Sequence, residues 1–268
     1  MTAATASEGV AIESSGGVLR ITLDRPSRKN ALDVPAVRRI VTTLETAATD
    51  DSLRVVVLAG RGADFCSGAD WVASNTAGAR PHTGSLQRRT PLQAHRLVEL
   101  LAEIQLPVVC AVHGWASGLG FQLALAADFA IAAESARFWE PFIERGFSAD
   151  SGSTWLLPRL VGVARAKELL LLGRKLSGEE AAAWGIIHRA VPDAELESST
   201  QALVAHLATG PTVAIGLTKR CIRRSMETGL AAAMENESFA LELSSRTTDF
   251  KEGLLAFAEK RAARFEGK

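Results

Sequence analysis

The sequence is poor in several features that would assign it to a particular class of proteins. It has 3 cysteines, an odd number in unrelated contexts, so no disulfide framework is expected. Lys+Arg and Asp+Glu are balanced at 30 each, which indicates neither a nucleic-acid footprint nor a polybasic membrane anchor. No uncharged apolar run approaches the length of about 18 residues that a membrane span needs, and the first residues lack a signal-peptide pattern. These absences predict a protein of the reducing cytoplasm.

What is present is material for a core, since 47% of the 268 residues are hydrophobic. The runs "LRVVVLAG" and "VVCAVHG" are typical of strands buried on both faces. A helical pattern from about Val34 to Ala48 places apolar residues on one face. This alternation predicts an α/β unit with parallel strands, followed from Ser151 onward by mostly helical segments. Residues 73–90 lack periodicity and predict a mobile surface loop.

Two predicted strands end in loops of small residues, "ADFCSGAD" and "HGWASGLG", and the second loop leads into a nearly uncharged helix. In open α/β sheets, ligand sites gather beyond the carboxyl ends of the strands. If the loops converge, one backbone N–H from Ser67-Gly68 and one from Gly118-Leu119-Gly120 could bind a single carbonyl oxygen, forming an oxyanion hole. Alternatively, the glycines only let backbone pass close to backbone. Spacing alone leaves both interpretations open.

Other motifs in these stretches are weaker. "GLGFQL" has Leu123 where a dinucleotide fingerprint needs its third glycine, and the serine of "GWASG" is one place late for a nucleophile elbow. Cys66 has no neighbour that would lower its pKa, so we expect a packing residue. The 5 histidines show no metal-ligand spacing, and His113 is expected to be structural. We therefore predict no metal site and no nicotinamide cofactor.

Six stretches in consecutive order resemble the enoyl-CoA hydratase/isomerase family, the crotonase superfamily: "RPSRKNAL", "FCSGAD", "AVHGWASGLG", "SADSGSTWLLPRLVG", "AAAWGIIHRAV" and "FKEGLLAFAEKR". The resemblance implies a spiral of ββα units over residues 1–200 that binds acyl-CoA. It also implies a helical region over residues 201–268 for CoA contacts and for assembly into homotrimers or hexamers. The expected ligand is an acyl-CoA thioester, and no cofactor is expected besides the CoA that the substrate carries.

The resemblance also assigns binding residues. It places the two oxyanion amides at Ser67 and Leu119, where they would stabilise the enolate formed when a proton leaves the carbon beside the thioester. The CoA contacts that it implies come from three segments and comprise Lys29, Ala31, Ala69, Asp70, Phe257 and Lys260. The last two lie in the C-terminal helix and often serve a neighbouring subunit in the family. For Lys260, a solvated helix face is an equally good interpretation.

The general acid and base of the family's hydratases are missing. Gln122 and Phe142 occupy the positions of the two hydratase glutamates, which argues against water addition by that route. Asp150 lies in a stretch that resembles the "PDxGGTWLLPR" motif of ring-epoxide and enoyl-CoA isomerases of phenylacetate degradation. Asp150 could instead cap the following helix, and Glu140 or Glu144 could replace the missing glutamate.

One carboxylate suffices for isomerisation, because it removes a proton at one carbon and returns it at another. The sequence therefore favours an isomerase of unsaturated acyl-CoA in which Asp150 is the acid and base and Gln122 positions substrate or water. Two alternatives remain. One is a hydratase with an atypical carboxylate, in fatty-acid or aromatic-acid degradation, and the other is an acyl-CoA-binding protein that has lost catalysis.

Overall fold

The structure is a computed structural model that describes residues 5–7, 9–70 and 82–268. Within these residues the strands form two sheets. The strands are β1 (Thr5–Ser7), β2 (Val10–Ser15), β3 (Val18–Leu23), β4 (Val55–Gly60), β5 (Val108–Val112), β6 (Trp115–Ser117), β7 (Phe129–Ala133), β8 (Arg137–Trp139), β9 (Leu176–Ser177) and β10 (Arg189–Val191).

The larger sheet has the strand order β1-β2-β3-β4-β5-β7-β10. Strands β1 to β3 pair antiparallel, and every pairing from β3 to β10 is parallel. The predicted parallel α/β arrangement is therefore confirmed. The first four residues of β4 and all of β5 are buried, as expected of strands covered on both faces.

The smaller sheet, in the order β6-β8-β9, is built by the chain alternating between the two sheets. Strand β5 lies in the larger sheet and β6 in the smaller one, and β7 and β8 repeat this step. An isolated parallel bridge from Cys66 to Ala116 adds the segment after β4 to the smaller sheet. Each step is followed by a helix or loop, which gives the predicted spiral of ββα units.

The α-helices lie mainly in the second half of the chain, as the sequence predicts. They are α1 (Val34–Ala47), α2 (Ser85–Arg89), α3 (Ala94–Glu103), α4 (Leu119–Ala126), α5 (Ser153–Leu172), α6 (Gly178–Ala183), α7 (Leu196–Ala208), α8 (Thr212–Ser225), α9 (Leu230–Ser244) and α10 (Thr248–Glu259). All of α4 is buried, which explains its lack of charge. Helix α2 corrects the loop predicted over residues 73–90, of which residues 73–81 lie outside the described part.

Helix α8 is fastened to the sheet by a partly exposed ion pair, in which the Lys219 and Asp128 side chains are 10% and 23% exposed. The Lys219 ammonium on α8 lies 2.7 Å from the Asp128 carboxylate and donates to the carbonyl oxygens of Leu101 and Leu106 at 3.1 and 3.2 Å. The same Asp128 carboxylate accepts the Val108 N–H at 2.7 Å, where β5 begins. Burial raises the pKa of Asp128 and lowers that of Lys219, and the charge of each group favours the ionised form of the other.

Two features are absent from the described residues. Within residues 5–7, 9–70 and 82–268, no helix combines the length and the hydrophobicity that a membrane-spanning segment requires. The same residues contain no group of three or more histidine, cysteine or acidic side chains arranged to hold a metal ion.

Lys219→Met should destabilise the protein by about 1–3 kcal/mol, because it leaves the partly buried Asp128 carboxylate and the Leu101 and Leu106 carbonyl oxygens without this partner. Urea denaturation at one fixed protein concentration measures this change in the free energy of unfolding. The double variant Lys219→Met/Asp128→Asn, which removes both charges and keeps an acceptor for Val108, should recover much of the loss. A single variant as stable as the wild type would contradict the proposed role of the pair.

Candidate active site

The two small-residue loops after β4 and β5 lie against each other. The Phe65 and Cys66 N–H groups donate to the carbonyl oxygens of His113 and Trp115, both at 2.8 Å. In return, the Ser117 N–H donates to the Cys66 carbonyl oxygen at 2.9 Å. The predicted convergence of the loops is therefore confirmed, and backbone hydrogen bonds produce it.

Glycine is required where the loops are closest. A Cβ atom at Gly68 would lie 2.7 Å from the Ser117 carbonyl oxygen, and one at Gly120 would lie 2.3 Å from that of Cys66. Both distances are far below van der Waals contact, so any larger residue would push the loops apart. The packing interpretation of these glycines is correct, and it does not exclude the oxyanion hole, because the close approach itself brings the amides together.

Leu119 is the first residue of α4, where a helix leaves its N–H groups without an intrahelical partner. The residue before it, Gly118, has φ 50° and ψ −123°, a conformation that favours glycine. Among the hydrogen bonds of the described residues, none uses the Leu119 N–H. This amide is therefore available to an oxygen bound at the positive end of the helix.

The second predicted amide needs a correction. The Ser67 N–H already donates to the Lys29 carbonyl oxygen at 2.9 Å, so it is not available as an oxyanion donor. The neighbouring Gly68 carbonyl oxygen and Asp70 N–H both bond to Leu32, which directs the intervening Ala69 N–H to the opposite side of the chain. No hydrogen bond within the described part of the chain uses the Ala69 N–H. The structure thus offers Ala69 in place of Ser67.

Both turns open on one cavity of about 370 Å³. Its wall includes Ala69 and Leu119, with Gly68 and Gly118 beside them. Much of the remaining wall is apolar and includes Leu32, Val34, Val37, Ala94, Phe142 and Phe147. The rings of Phe142 and Phe147 meet edge to face with centroids 5.4 Å apart. The cavity therefore combines two unpaired amides with an apolar chamber.

Asp150 lines the same cavity, in the loop before α5. Helix α5 begins at Ser153 after Gly152 and has no side-chain cap, so the capping interpretation of Asp150 is wrong for its carboxylate. Instead, the Asp150 carbonyl oxygen accepts the Ser153 N–H and hydroxyl at 3.1 and 2.9 Å. Burial raises the pKa of the Asp150 carboxyl, while the Ser151 side chain and the nearby His95 partly lower it. A carboxyl in this state suits proton transfer.

Gln122 does not line the cavity, contrary to the prediction that it positions substrate or water. Its side chain is fully buried, and its Nε2 lies 3.1 and 3.0 Å from the two carboxylate oxygens of Glu140. The physical reason is that the Gln122 amide is hydrogen-bonded to Glu140, which is itself only 1% exposed and lies behind the cavity wall. Glu144 is exposed and lies outside the cavity lining, so neither glutamate replaces the missing carboxylate at the wall.

The predicted CoA residues fall into two groups. Segment 29–32 lies beside the 67–70 loop through the backbone bonds described above, so Lys29, Ala31, Ala69 and Asp70 are brought together. Asp70 is buried and paired with Arg25 at 3.2 Å, and Arg25 also donates to the Ala31 carbonyl oxygen. Phe257, 85% exposed, and Lys260 lie at the end of α10 and outside the cavity lining. Their contact with a neighbouring subunit's CoA stays a prediction.

Two residues considered for chemistry have structural roles. Cys66 is fully buried, and burial raises the pKa of its thiol to about 12, which excludes a reactive thiolate. The His113 Nε2 lies 2.8 Å from the Gly62 carbonyl oxygen, as expected of a hydrogen-bonded structural residue. Sequence reasoning missed the Gln122–Glu140 pair, whose members lie 18 residues apart, and no local pattern could have revealed it.

Residues 13–268 match the family model for enoyl-CoA hydratase/isomerase. The chain is 40% identical over 254 residues to the 1,2-epoxyphenylacetyl-CoA isomerase of Escherichia coli K12, covering 94% of this chain and 96% of the relative. It is 39% identical to a Rhodobacter capsulatus protein named "Probable enoyl-CoA hydratase", covering 96% and 97%. The crystal structure of enoyl-CoA hydratase from Bacillus anthracis superposes with a TM-score of 0.90 at 32% identity, covering 97% and 100%. The chain belongs to the enoyl-CoA hydratase/isomerase family.

Proposed function

We propose that the protein isomerises an unsaturated acyl-CoA through a thioester enolate, with Asp150 as the single acid and base. The observation that carries this proposal is the position of Asp150, the one carboxyl group with a raised pKa among the described residues that line the cavity of Ala69 and Leu119. Asp33 and Asp70 line the same cavity, but both are paired with Arg25.

In the proposed mechanism, the thioester carbonyl oxygen accepts hydrogen bonds from the Ala69 and Leu119 amides. Asp150 then removes a proton from the α-carbon of a 3-enoyl thioester, or in the reverse direction from the γ-carbon of a 2-enoyl thioester, and negative charge moves to the oxygen. Fixed amides stabilise that charge more than they stabilise the ground-state carbonyl, which lowers the barrier. Protonated Asp150 returns the proton to a different carbon, and the double bond has moved.

Water addition is less well supported by this site. Phe142 is a buried apolar side chain that can neither hold nor deprotonate a water molecule, and Gln122 is engaged with Glu140. The names of the relatives include both an isomerase and a hydratase, so they do not decide between the reactions. The chemistry of the cavity wall favours the isomerase.

We also propose that the chain works as a homotrimer or as a hexamer of two trimers. Helices α9 and α10 carry several large apolar side chains that are mostly exposed in the single chain, among them Leu230 at 77% and Phe239 at 65%. Exposed apolar patches of this kind are typical of interfaces. The position of Phe257 on the same region supports its predicted contact with the CoA of a neighbouring subunit.

Asp150→Asn should lower kcat for conversion of 3-enoyl-CoA to 2-enoyl-CoA by about 100- to 10,000-fold, because the amide cannot accept the proton. Binding of a saturated acyl-CoA, measured by calorimetry, should stay near the wild-type value. The matched control is Asp51→Asn, at an exposed aspartate in a surface turn, which should keep full activity. Unchanged turnover in Asp150→Asn would remove Asp150 from the mechanism. Wild-type protein that binds enoyl-CoAs without converting or hydrating any would instead be a binding protein.

Leu119→Pro should lower kcat by about 100- to 1,000-fold, the usual effect of losing one oxyanion donor. Proline removes the N–H, yet it is well tolerated at the first position of a helix, where no intrahelical bond is lost. Leu119→Ala is the control, because it shortens the side chain and keeps the amide. Equal activities of the two variants in a steady-state assay would show that this amide does not bind the thioester oxygen.

The wild-type kcat/KM should fall as the pH decreases through the pKa of Asp150, because only the ionised carboxylate can accept a proton. Burial raises this pKa, so the loss should begin at a higher pH than for an ordinary exposed aspartate. His95→Gln removes a nearby positive charge that lowers the pKa of Asp150, so the acidic limb should move to higher pH. A limb that moves to lower pH, or not at all, would contradict the assignment of this limb to Asp150.

A further inference from the structure

Behind the cavity wall lies a buried carboxyl group that the proposed mechanism does not use. Glu140 is only 1% exposed and directly precedes Pro141 and Phe142, which both line the cavity. Its carboxyl oxygens lie 3.0 and 3.1 Å from the Gln122 Nε2. Among the described residues, the Gln122 amide is the one side chain that forms a hydrogen bond with Glu140, and no arginine, lysine or histidine forms a salt bridge with it.

The charged groups around Glu140 do not neutralise it. Lys175 and Arg145 lie over the ring of the preceding residue, Trp139, at 4.5 and 5.7 Å from its centroid, and neither bonds to the carboxyl group. From the loop before α5, Asp150 adds a negative charge. A carboxylate that is 1% exposed and has no cation bonded to it is strongly disfavoured, so the group retains its proton.

Gln122 is suited to hold a protonated partner. Its Oε1 is buried and has no hydrogen-bond partner within the described part of the chain, although buried amide oxygens are normally paired. The amide nitrogen and oxygen are distinguished only by their hydrogen bonds. A carboxylic acid can receive a hydrogen bond from the amide N–H or donate its own proton to the amide oxygen, whereas a carboxylate can only receive. The pair is thus compatible with a neutral acid in either orientation.

We propose that Glu140, held by Gln122 behind the Pro141–Phe142 wall, is a neutral carboxylic acid in the working enzyme, so that Asp150 is the carboxyl group that ionises and accepts the substrate proton. This inference rests on the proposed isomerase function. The two carboxyl groups titrate as a coupled pair, in which Asp150 loses its proton first and Glu140 second. Ionisation of Glu140 would place a second negative charge close to the cavity in which the enolate forms.

The direction of each effect follows from the causes of the Glu140 shift. Burial and the Asp150 charge raise the pKa of Glu140 well above that of an ordinary glutamate, and the hydrogen bond from Gln122 lowers it. The wild-type pH profile should therefore have an alkaline limb where Glu140 ionises. Glu140→Gln should lose this limb, because the amide cannot ionise. Gln122→Met, which removes the amide and keeps a similar volume, should move the limb to higher pH.

The matched control is Glu144→Gln. Glu140 and Glu144 each lie two residues from Phe142 in the sequence, but Glu144 is exposed. The pH profile of Glu144→Gln should therefore coincide with that of the wild type. The pH dependence of kcat/KM is measured for all four proteins. Profiles of Glu140→Gln and Gln122→Met that both coincide with the wild type would overturn the proposal.

A second measurement does not depend on catalytic activity. At neutral pH, the infrared spectrum of the wild type should contain the carbonyl band of a protonated carboxyl group, which Glu140→Gln loses and Glu144→Gln retains. In Asp150→Asn this band should disappear at lower pH than in the wild type, because the charge that raises the pKa of Glu140 is gone. Equal bands in the wild type and Glu140→Gln would overturn the proposal. If no enoyl-CoA is converted but both infrared changes occur, the coupling is correct and the isomerase function is wrong.

Discussion

The site depends on the contact between two loops, each of which follows a buried parallel strand. Backbone hydrogen bonds at 2.8–2.9 Å join them, and two positions without a Cβ atom let them approach. The two amides that could bind a thioester oxygen depend on this contact. It brings the Leu119 amide, at the start of a helix, to the same cavity as the Ala69 amide, which the bonds of Gly68 and Asp70 with Leu32 turn away from the Leu32 segment. Because the donors are backbone N–H groups, the side chains at positions 69 and 119 can vary. The path of the backbone cannot, and it requires glycine at positions 68 and 120.

Around these amides, the chain separates its carboxyl groups by environment. Asp70 and Asp33 are paired with Arg25, Glu140 is buried against an amide, and Asp150 faces the cavity without a cation bonded to it among the described residues. Burial raises the pKa of Glu140 and of Asp150, and environments that tune carboxyl groups in this way assign acid and base roles in many enzymes. Phe142 has no group that can accept or donate a proton. Its apolar ring therefore leaves proton transfer at this wall to Asp150 in the proposed mechanism.

Much of the fold could be predicted from the sequence, because the signals are local. Helix α1 and strands β4 and β5 were indicated by periodicity and by continuous apolar runs, and the convergence of the loops followed from the rule for parallel strand ends. The site was predicted less completely. The choice of Ala69 over Ser67 depends on the turn at Gly68, with φ +99°, and on a bond to Lys29. Gln122 and Glu140 meet only because α4 and the segment after β8 are packed together, and short-range patterns do not report such contacts.

A site with one working carboxylate restricts the reactions open to it. Hydration needs a group that activates water and a group that protonates carbon, and the described cavity wall supplies one such group. Isomerisation needs a base whose conjugate acid remains in place, so the proton that leaves one carbon is available to the other. Since Asp150 lies on one wall of the cavity, removal and return would occur on the same face of the planar enolate. In the proposed isomerisation, the raised pKa of Asp150 would serve both steps, because it brings the proton affinity of the carboxylate closer to that of the enolate.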